Sequence, residues 1–160
     1  MKNESRFATL AVHAGETPCP ATGALDTPIY QSTTFVSADA DEMAAVYDEK
    51  KIGYMYTRYG NPTTRALEEK VAALESASAA LAFSTGMAAI SSAILGYVKA
   101  GDHVVAARSL YGAAYHFLNA ILPRLGASTT FVQSTRVENF EKALRPNTRL
   151  IYFESPSNPV

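Results

Sequence analysis

A single cysteine, Cys19, stands in a chain of 160 residues. That scarcity excludes an internal disulfide and the multi-cysteine metal sites, and leaves Cys19 as an incidental loop thiol. Charge of either sign is not in excess: 14 Lys and Arg face 15 Asp and Glu, for a net charge of −1. The sequence therefore makes no electrostatic case for nucleic acid or an anionic membrane surface. Met1-Lys2-Asn3-Glu4-Ser5-Arg6 contains no apolar segment able to act as a secretory signal, and the expectation is a soluble, cytoplasmic protein. Neither G-x-G-x-x-G nor G-x-x-x-x-G-K-S/T occurs, so dinucleotide-binding and P-loop readings lack their fingerprints. Internal repeats and low-complexity tracts are absent as well.

Charge is missing altogether from Ser76 to Val98. A run of this length is the usual flag for a transmembrane helix. Its composition argues otherwise: it is mostly Ala and Ser, and Ser84, Thr85, Gly86, Ser91 and Ser92 fall where a bilayer requires hydrocarbon. A buried strand over Ala79 to Phe83, turning at Ser84-Thr85-Gly86 into a helix over Met87 to Val98, has the same hydropathy. Such a turn directs free backbone N–H groups and the positive end of a helix dipole at one spot, which suits a phosphate. Small residues at a strand–helix junction also satisfy close packing, so the turn alone leaves both readings open.

Residues 1 to about 58 carry Pro18, Pro20, Pro28, Gly15, Gly23 and many Ser and Thr, with little sustained periodicity. They read as an extended arm, with a short helix over Asp41 to Glu49 placing Met43, Val46 and Tyr47 on one face. Regularity begins at Asn61, a helix cap followed by Pro62 at the first helical position. Leu67, Val71 and Leu74 then form a stripe predicted to face the core. Beyond the uncharged run, closed by Lys99 and Gly101, a strand is predicted at His103 to Ala107 and a helix at about Ala113 to Leu122. A strand at Thr129 to Gln133 follows. Thr135 and Glu138 match a capping box opening a short helix that stops before Pro146, and Arg149 to Phe153 is the last predicted strand. Short alternating strands and helices favour a mostly parallel sheet with helices on both faces. Glu154 to Val160 opens a loop at the carboxyl end of a strand, where α/β proteins place ligands. With no crossover helix after that strand, the chain reads as truncated.

The most specific chemistry lies in Tyr56-Thr57-Arg58. On an extended segment a phenol and a guanidinium two residues apart project to the same side and can donate to one phosphate, the guanidinium through its fork. A surface Arg beside a helix cap is the plain alternative.

Several stretches combine with this one: Thr22-Gly23-Ala24, Pro28-Ile29-Tyr30-Gln31-Ser32-Thr33-Thr34-Phe35 and Gly60-Asn61-Pro62-Thr63. Further along stand Thr85-Gly86-Met87-Ala88-Ala89-Ile90, Ala100-Gly101-Asp102-His103-Val104, Leu110-Tyr111-Gly112 and Phe153-Glu154-Ser155-Pro156-Ser157-Asn158-Pro159. In order and spacing, nearly end to end, the sequence resembles the pyridoxal-phosphate enzymes of cysteine and methionine metabolism. That family includes the cystathionine synthases and lyases, the acyl-homoserine sulfhydrylases and methionine γ-lyase. The resemblance implies an α/β fold. Its N-terminal extended arm, residues 1–58, would clasp a neighbouring subunit. Residues 59–160 would form the first, incomplete part of a fold-type I pyridoxal-phosphate-dependent transferase large domain.

The resemblance also implies roles. Thr85, Gly86 and Met87 would hold the phosphate of pyridoxal 5'-phosphate at the helix N-terminus, and Tyr56 and Arg58 would reach it from the neighbouring subunit. The partner implied is thus a second copy of the chain, as homodimer or homotetramer. Tyr111 would stack on the pyridine ring and assist proton movement, while Glu154 and Asn158 would lie by the polar edge of the cofactor and the small amino-acid substrate. No metal, nucleic acid or membrane enters this scheme.

Two departures qualify it. The family needs a Schiff-base lysine, in a Ser-x-Thr-Lys context, and an acid paired with the pyridine nitrogen. Lys2, Lys50, Lys51, Lys70, Lys99 and Lys142 all lack that context, so none is assigned, and the 160-residue chain alone is expected to be inactive. Where methionine γ-lyases typically carry cysteine this chain has Ala113, and where cystathionine γ-lyases carry arginine it has His116. Both lean towards γ-replacement on an activated homoserine over γ-elimination. His116 itself stands on a predicted helix, where a structural or surface role competes with substrate contact. A non-catalytic fragment and a nucleotide-binding α/β domain are the readings from other classes.

Overall fold

The central strand of the sheet is announced by its composition. His103-Val104-Val105-Ala106-Ala107 is buried at every position, as a strand flanked on both sides in a parallel sheet must be. The computed structural model describes residues 5–133 and 136–157. They fall into two compact units, Met1–Ala82 and Phe83–Val160.

In the first unit, α1 spans Ser5–His13, α2 Ala40–Tyr47 and α3 Pro62–Leu74. Helix α2 begins where Asp39 caps it: the Asp39 carboxylate accepts from Glu42 N at 2.8 Å, and Glu42 in turn accepts from Ala38 N at 2.6 Å. This reciprocal pair satisfies two backbone donors at once. Helix α3 begins as expected, with Asn61 Oδ1 accepting from Thr63 N at 2.9 Å and Pro62 at the first position. Helices α1 and α3 pack together, and Gly15, with φ +75°, makes their approach possible. A Cβ there would lie 2.2 Å from the Ala66 carbonyl oxygen, a clash that no side chain could relieve. Beside this contact Glu16 accepts from Lys70 Nζ at 3.1 Å and from the Thr27 amide and hydroxyl, each at 2.9 Å.

The stripe predicted on α3 is not buried. Leu67 is 55% and Val71 40% exposed, and the buried residue of the helix is Ala72. The side of α3 that meets α1 and the turn after it is that of Ala66 and Lys70: Gly15 lies against the α3 backbone there, and Lys70 Nζ donates to Val12 O at 3.3 Å. Residues 79–83 also differ from expectation. They run as an irregular segment with no ladder partner among the described residues, held by Ala82 N donating to Glu68 Oε1 at 2.8 Å. Leu81 and Phe83 are exposed. An apolar run has the composition of a strand, but without a neighbour to take its backbone hydrogen bonds it does not become one.

In the second unit the order is α4 (Gly86–Tyr97), β1 (His103–Ala107), α5 (Gly112–His116), β2 (Ser128–Val132), α6 (Val137–Ala143) and β3 (Thr148–Tyr152). The sheet order is β2-β1-β3 with both pairings parallel. Val104 stands opposite Thr129 on one side and Leu150 on the other. The core joins Ile94 and Val98 to Val104, Ala106, Phe117, Leu118 and Leu122, with Phe131, Phe140 and Tyr152 packed at its margin. Helix α5 does not run unbroken to Leu122. It loosens into a π-helical turn at Phe117–Ile121 and a 3₁₀ turn at Leu122–Leu125, because Pro123 has no N–H for the preceding turn and its ring crowds the carbonyl four residues back. Thr135, the expected cap of α6, lies outside the described residues. Among those residues no helix is long and apolar enough to cross a membrane; the uncharged run is divided between the irregular segment and α4.

Candidate functional site

Thr85 enters α4 in an extended conformation (φ −147°, ψ 153°), and its Oγ1 accepts from Ala88 N at 3.1 Å. That bond and the Ala89 N–Thr85 O bond of 3.1 Å satisfy the third and fourth helical amides. The amides of Gly86 and Met87 find no acceptor among the described residues, as expected of the first turn of a helix. Residues 84–86 are exposed, and a Cβ built on Gly86 would meet nothing within 4 Å. The turn is therefore an open cradle with two unclaimed N–H donors, a hydroxyl whose proton is still available, and the positive end of a twelve-residue helix.

The carboxyl ends of β1 and β3 assemble a second feature in the same unit. After β1, Arg108 N donates to Val132 O at 2.8 Å, Leu110 is buried, and Tyr111 emerges with 45% of its surface exposed. After β3 comes Glu154, whose two oxygens divide their work. Oε2 accepts from Tyr111 N at 2.7 Å and Oε1 accepts from the Tyr152 hydroxyl at 3.0 Å. Burial, reinforced by the Glu154 carboxylate, pushes the Tyr152 hydroxyl up to about 12, so it remains a donor at neutral pH. Ser109 and Ser157 link the same two loops through their hydroxyls at 3.2 Å. Parallel strands point their carboxyl ends the same way, which brings Tyr111 and Glu154 together across 43 residues of sequence. Asn158 lies outside the described residues.

Tyr56 and Arg58 belong to the first unit. Their segment pairs antiparallel with residues 33–35: Thr34 bridges Tyr56, Phe35 N donates to Met55 O at 3.0 Å, and Thr57 N donates to Thr33 O at 2.9 Å. The Thr57 hydroxyl donates to Ser32 O. Asn61, 4% exposed, donates through Nδ2 to Tyr30 O at 2.9 Å and to Thr57 Oγ1 at 3.2 Å. Thr63 Oγ1 accepts from Tyr30 N and donates to Pro28 O, both at 2.9 Å. An open cavity of about 380 Å³ results, lined by residues 30–33 and 56–58. Arg58 Cζ lies 5.0 Å from the centroid of the Tyr56 ring, and among the described residues no carboxylate pairs with it.

Comparison with known proteins supplies the frame for these parts. Residues 8–160 match the Cys/Met metabolism PLP-dependent enzyme family. This chain belongs to that family. Among its relatives, an L-methionine gamma-lyase of Treponema denticola is 46% identical over 153 residues, 96% of this chain and 38% of the relative. An O-acetyl-L-homoserine sulfhydrylase of Leptospira meyeri is 43% identical over 151 residues, 94% of this chain and 34% of the relative. A solved structure from Campylobacter jejuni containing N'-pyridoxyl-lysine-5'-monophosphate aligns with TM-score 0.89 and 29% identity, over 96% of this chain and 38% of that one. The chain thus spans well under two thirds of the proteins it matches.

The cofactor of this family is pyridoxal 5'-phosphate, and the donors present fit its phosphate end. The cradle at Gly86 is the space that a side chain would fill, and its donors are those an oxyanion seeks. Lys99 lies past the far end of α4, about 18 Å along the axis from Gly86, and Lys142 sits in the last turn of α6.

Sequence reasoning did not foresee the residues that hold these groups in place. The bond from Glu154 to the Tyr111 amide has no local signal. Asn61 was legible as a cap, but its two further bonds to the arm were not. His103, fully buried, stands in a predicted strand and in one of the family-like stretches, and neither predicts its partners. Its Nδ1 lies 2.8 Å from Thr148 Oγ1 and its Nε2 2.9 Å from Thr130 Oγ1, tying the central strand to both neighbours.

Proposed function

We propose that the protein carrying this chain is a pyridoxal 5'-phosphate-dependent enzyme that performs γ-replacement on an activated homoserine: the Cγ–O bond breaks, the acyloxy group leaves as a carboxylate, and the sulfur of a thiol or sulfide takes its place on Cγ. The single observation that carries the reading is the open cradle at Thr85-Gly86-Met87, in a chain whose family uses a phosphorylated cofactor. When bound, the cofactor supplies an electron sink for charge that develops on the substrate carbons.

The chain's own residues do the rest. The amides of Gly86 and Met87 and the hydroxyl of Thr85 donate to the phosphate. Tyr56 and Arg58 donate to it from a neighbouring copy, which makes a homodimer, or a tetramer built of such dimers, the working assembly. Tyr111 lays its ring on the cofactor and serves proton movement there. Glu154 fixes the Tyr111 backbone through the 2.7 Å bond and, with Asn158, borders the substrate. Residues 1–160 alone lack the amine that the chemistry requires and do not turn over.

Ala113 and His116 support replacement, since they stand where the two lyase types carry cysteine and arginine. A second reading, γ-elimination, is favoured by the 46% identity to the Treponema methionine gamma-lyase. Both are tested by incubating full-length protein with an O-acyl-homoserine and measuring products with and without sulfide. Replacement predicts that sulfide diverts the flux to the thiol amino acid. If 2-oxobutanoate and ammonia form unabated at saturating sulfide, elimination is the activity. If the protein neither binds pyridoxal 5'-phosphate nor forms either product, the proposal fails.

A further inference from the structure

Arg58 has a second aromatic neighbour that no role has yet been given. Its Cζ lies 5.9 Å from the centroid of the Tyr59 ring, on top of the 5.0 Å to Tyr56. The two rings stand 6.1 Å apart at 62°. The backbone makes this possible: the amides of Tyr59 and Gly60 both donate to Tyr56 O, at 2.9 and 3.2 Å, and this turn brings residue 59 back towards residue 56. Tyr59 is 72% exposed. Within its own chain this ring joins no core; its ring contacts are the Arg58 guanidinium and Tyr56.

We propose that Tyr59 is a positioning residue that orders Arg58 for an anion through a cation–π contact. The proposal rests on the reading above, in which Arg58 grips the cofactor phosphate. A long arginine on an exposed segment loses rotamer freedom when it binds, and that loss weakens binding. A carboxylate partner would order it in advance, but would occupy its N–H donors and cancel its charge. Contact with ring faces restricts the guanidinium and leaves its donor fork and its charge available. The described residues show this second arrangement: two rings near Arg58 and no carboxylate paired with it.

The test uses full-length protein stripped of cofactor and compares binding of pyridoxal 5'-phosphate with that of pyridoxal, which lacks the phosphate. Tyr59→Leu and Tyr59→Gln are expected to weaken pyridoxal 5'-phosphate by about two- to fivefold, the worth of one exposed cation–π contact, and to leave pyridoxal unchanged. Tyr59→Phe keeps the ring and should bind like the parent. Equal weakening of both ligands would mean a merely structural role and overturn the proposal, as would parental binding by the Leu and Gln variants. Arg58→Ala separates the two claims. If it weakens pyridoxal 5'-phosphate while the Tyr59 variants do not, the Tyr59 assignment fails alone. If Arg58→Ala changes nothing, the phosphate role of Arg58 fails with it.

Discussion

Replacing Asn61 tests how the Tyr56–Arg58 segment is held. The side chain is 4% exposed and makes three bonds: Oδ1 caps α3 through Thr63 N, and Nδ2 donates to Tyr30 O and Thr57 Oγ1. Asn61→Ala removes a cap, for about 1 kcal/mol, and two neutral hydrogen bonds at about 1 kcal/mol each, of which the 3.2 Å bond is the weaker. The sum is about 2–3 kcal/mol, or roughly a 30- to 150-fold rise in local opening. Asn61→Asp keeps the acceptor that caps α3 and loses both donors, so it separates the two effects. Amide hydrogen exchange reads them directly. Protection at Phe35 and Thr57, the cross-strand donors, should fall in both variants. Protection at Thr63 should fall only in Asn61→Ala, and Val104 in the other unit serves as an unaffected control. Parental protection at Phe35 and Thr57 in Asn61→Ala would show that the segment is held by something else.

Two ionisable groups predict distinct pH windows. Bonds from the Thr27 amide, Lys70 and the Thr27 hydroxyl hold the Glu16 carboxyl down to about 2 from an ordinary 4.5. The unfolded chain takes up that proton first, so the stabilisation is complete above about pH 4.5 and is lost as pH falls towards 2. Melting curves across that interval should flatten in Glu16→Gln, and an unchanged pH slope would contradict the assignment. For His103, burial and then the charge of Arg145 lower the imidazole below 6.5. A buried neutral base makes folding favour the unprotonated form, so the sheet should lose stability as pH drops below 6.5. Hydrogen exchange at Val104 and Val105 measures this loss, and His103→Gln, which cannot titrate, should abolish it.

What could be read in advance depended on whether the cause was local. Asn61-Pro62 start a helix through their own side chain and ring, and Thr85-Gly86 start another, so α3 and α4 begin where expected. Val104 to Ala107 needed two flanking strands to be uniformly apolar, and they have them. Leu67 and Val71 show the converse. Periodicity marks a face as apolar without saying what lies against it, and in this structure Val12 and Gly15 meet α3 on its Ala66 and Lys70 side while Leu67 and Val71 stay exposed. Residues 79–83 failed for the same reason, since a strand exists only with a partner. The His103 clamp joins residues 27 and 45 positions apart, and Glu154 reaches Tyr111 across 43. Spacings of that size carry no period, and only the folded parallel sheet reveals them.

Gly86 allows the demands of the fold to be separated from those of a ligand. Glycine is usually required by a left-handed backbone or by a crowded Cβ position. Neither applies, because Gly86 has no positive φ and a Cβ there meets nothing within 4 Å. Alanine is the better helix former, by up to about 1 kcal/mol in a helix interior and less at a first position. The fold alone therefore predicts that Gly86→Ala leaves the melting temperature unchanged or slightly raised. A phosphate seated on the Gly86 and Met87 amides predicts a different outcome for binding, because the new methyl group would stand beside the donors and hold the oxyanion away. Affinity of the full-length protein for pyridoxal 5'-phosphate should drop by at least about tenfold, the loss of roughly one charge-assisted hydrogen bond. If affinity persists, the phosphate does not sit at this turn. If melting falls instead, the glycine serves the fold after all, through a contact that the open space around it does not show.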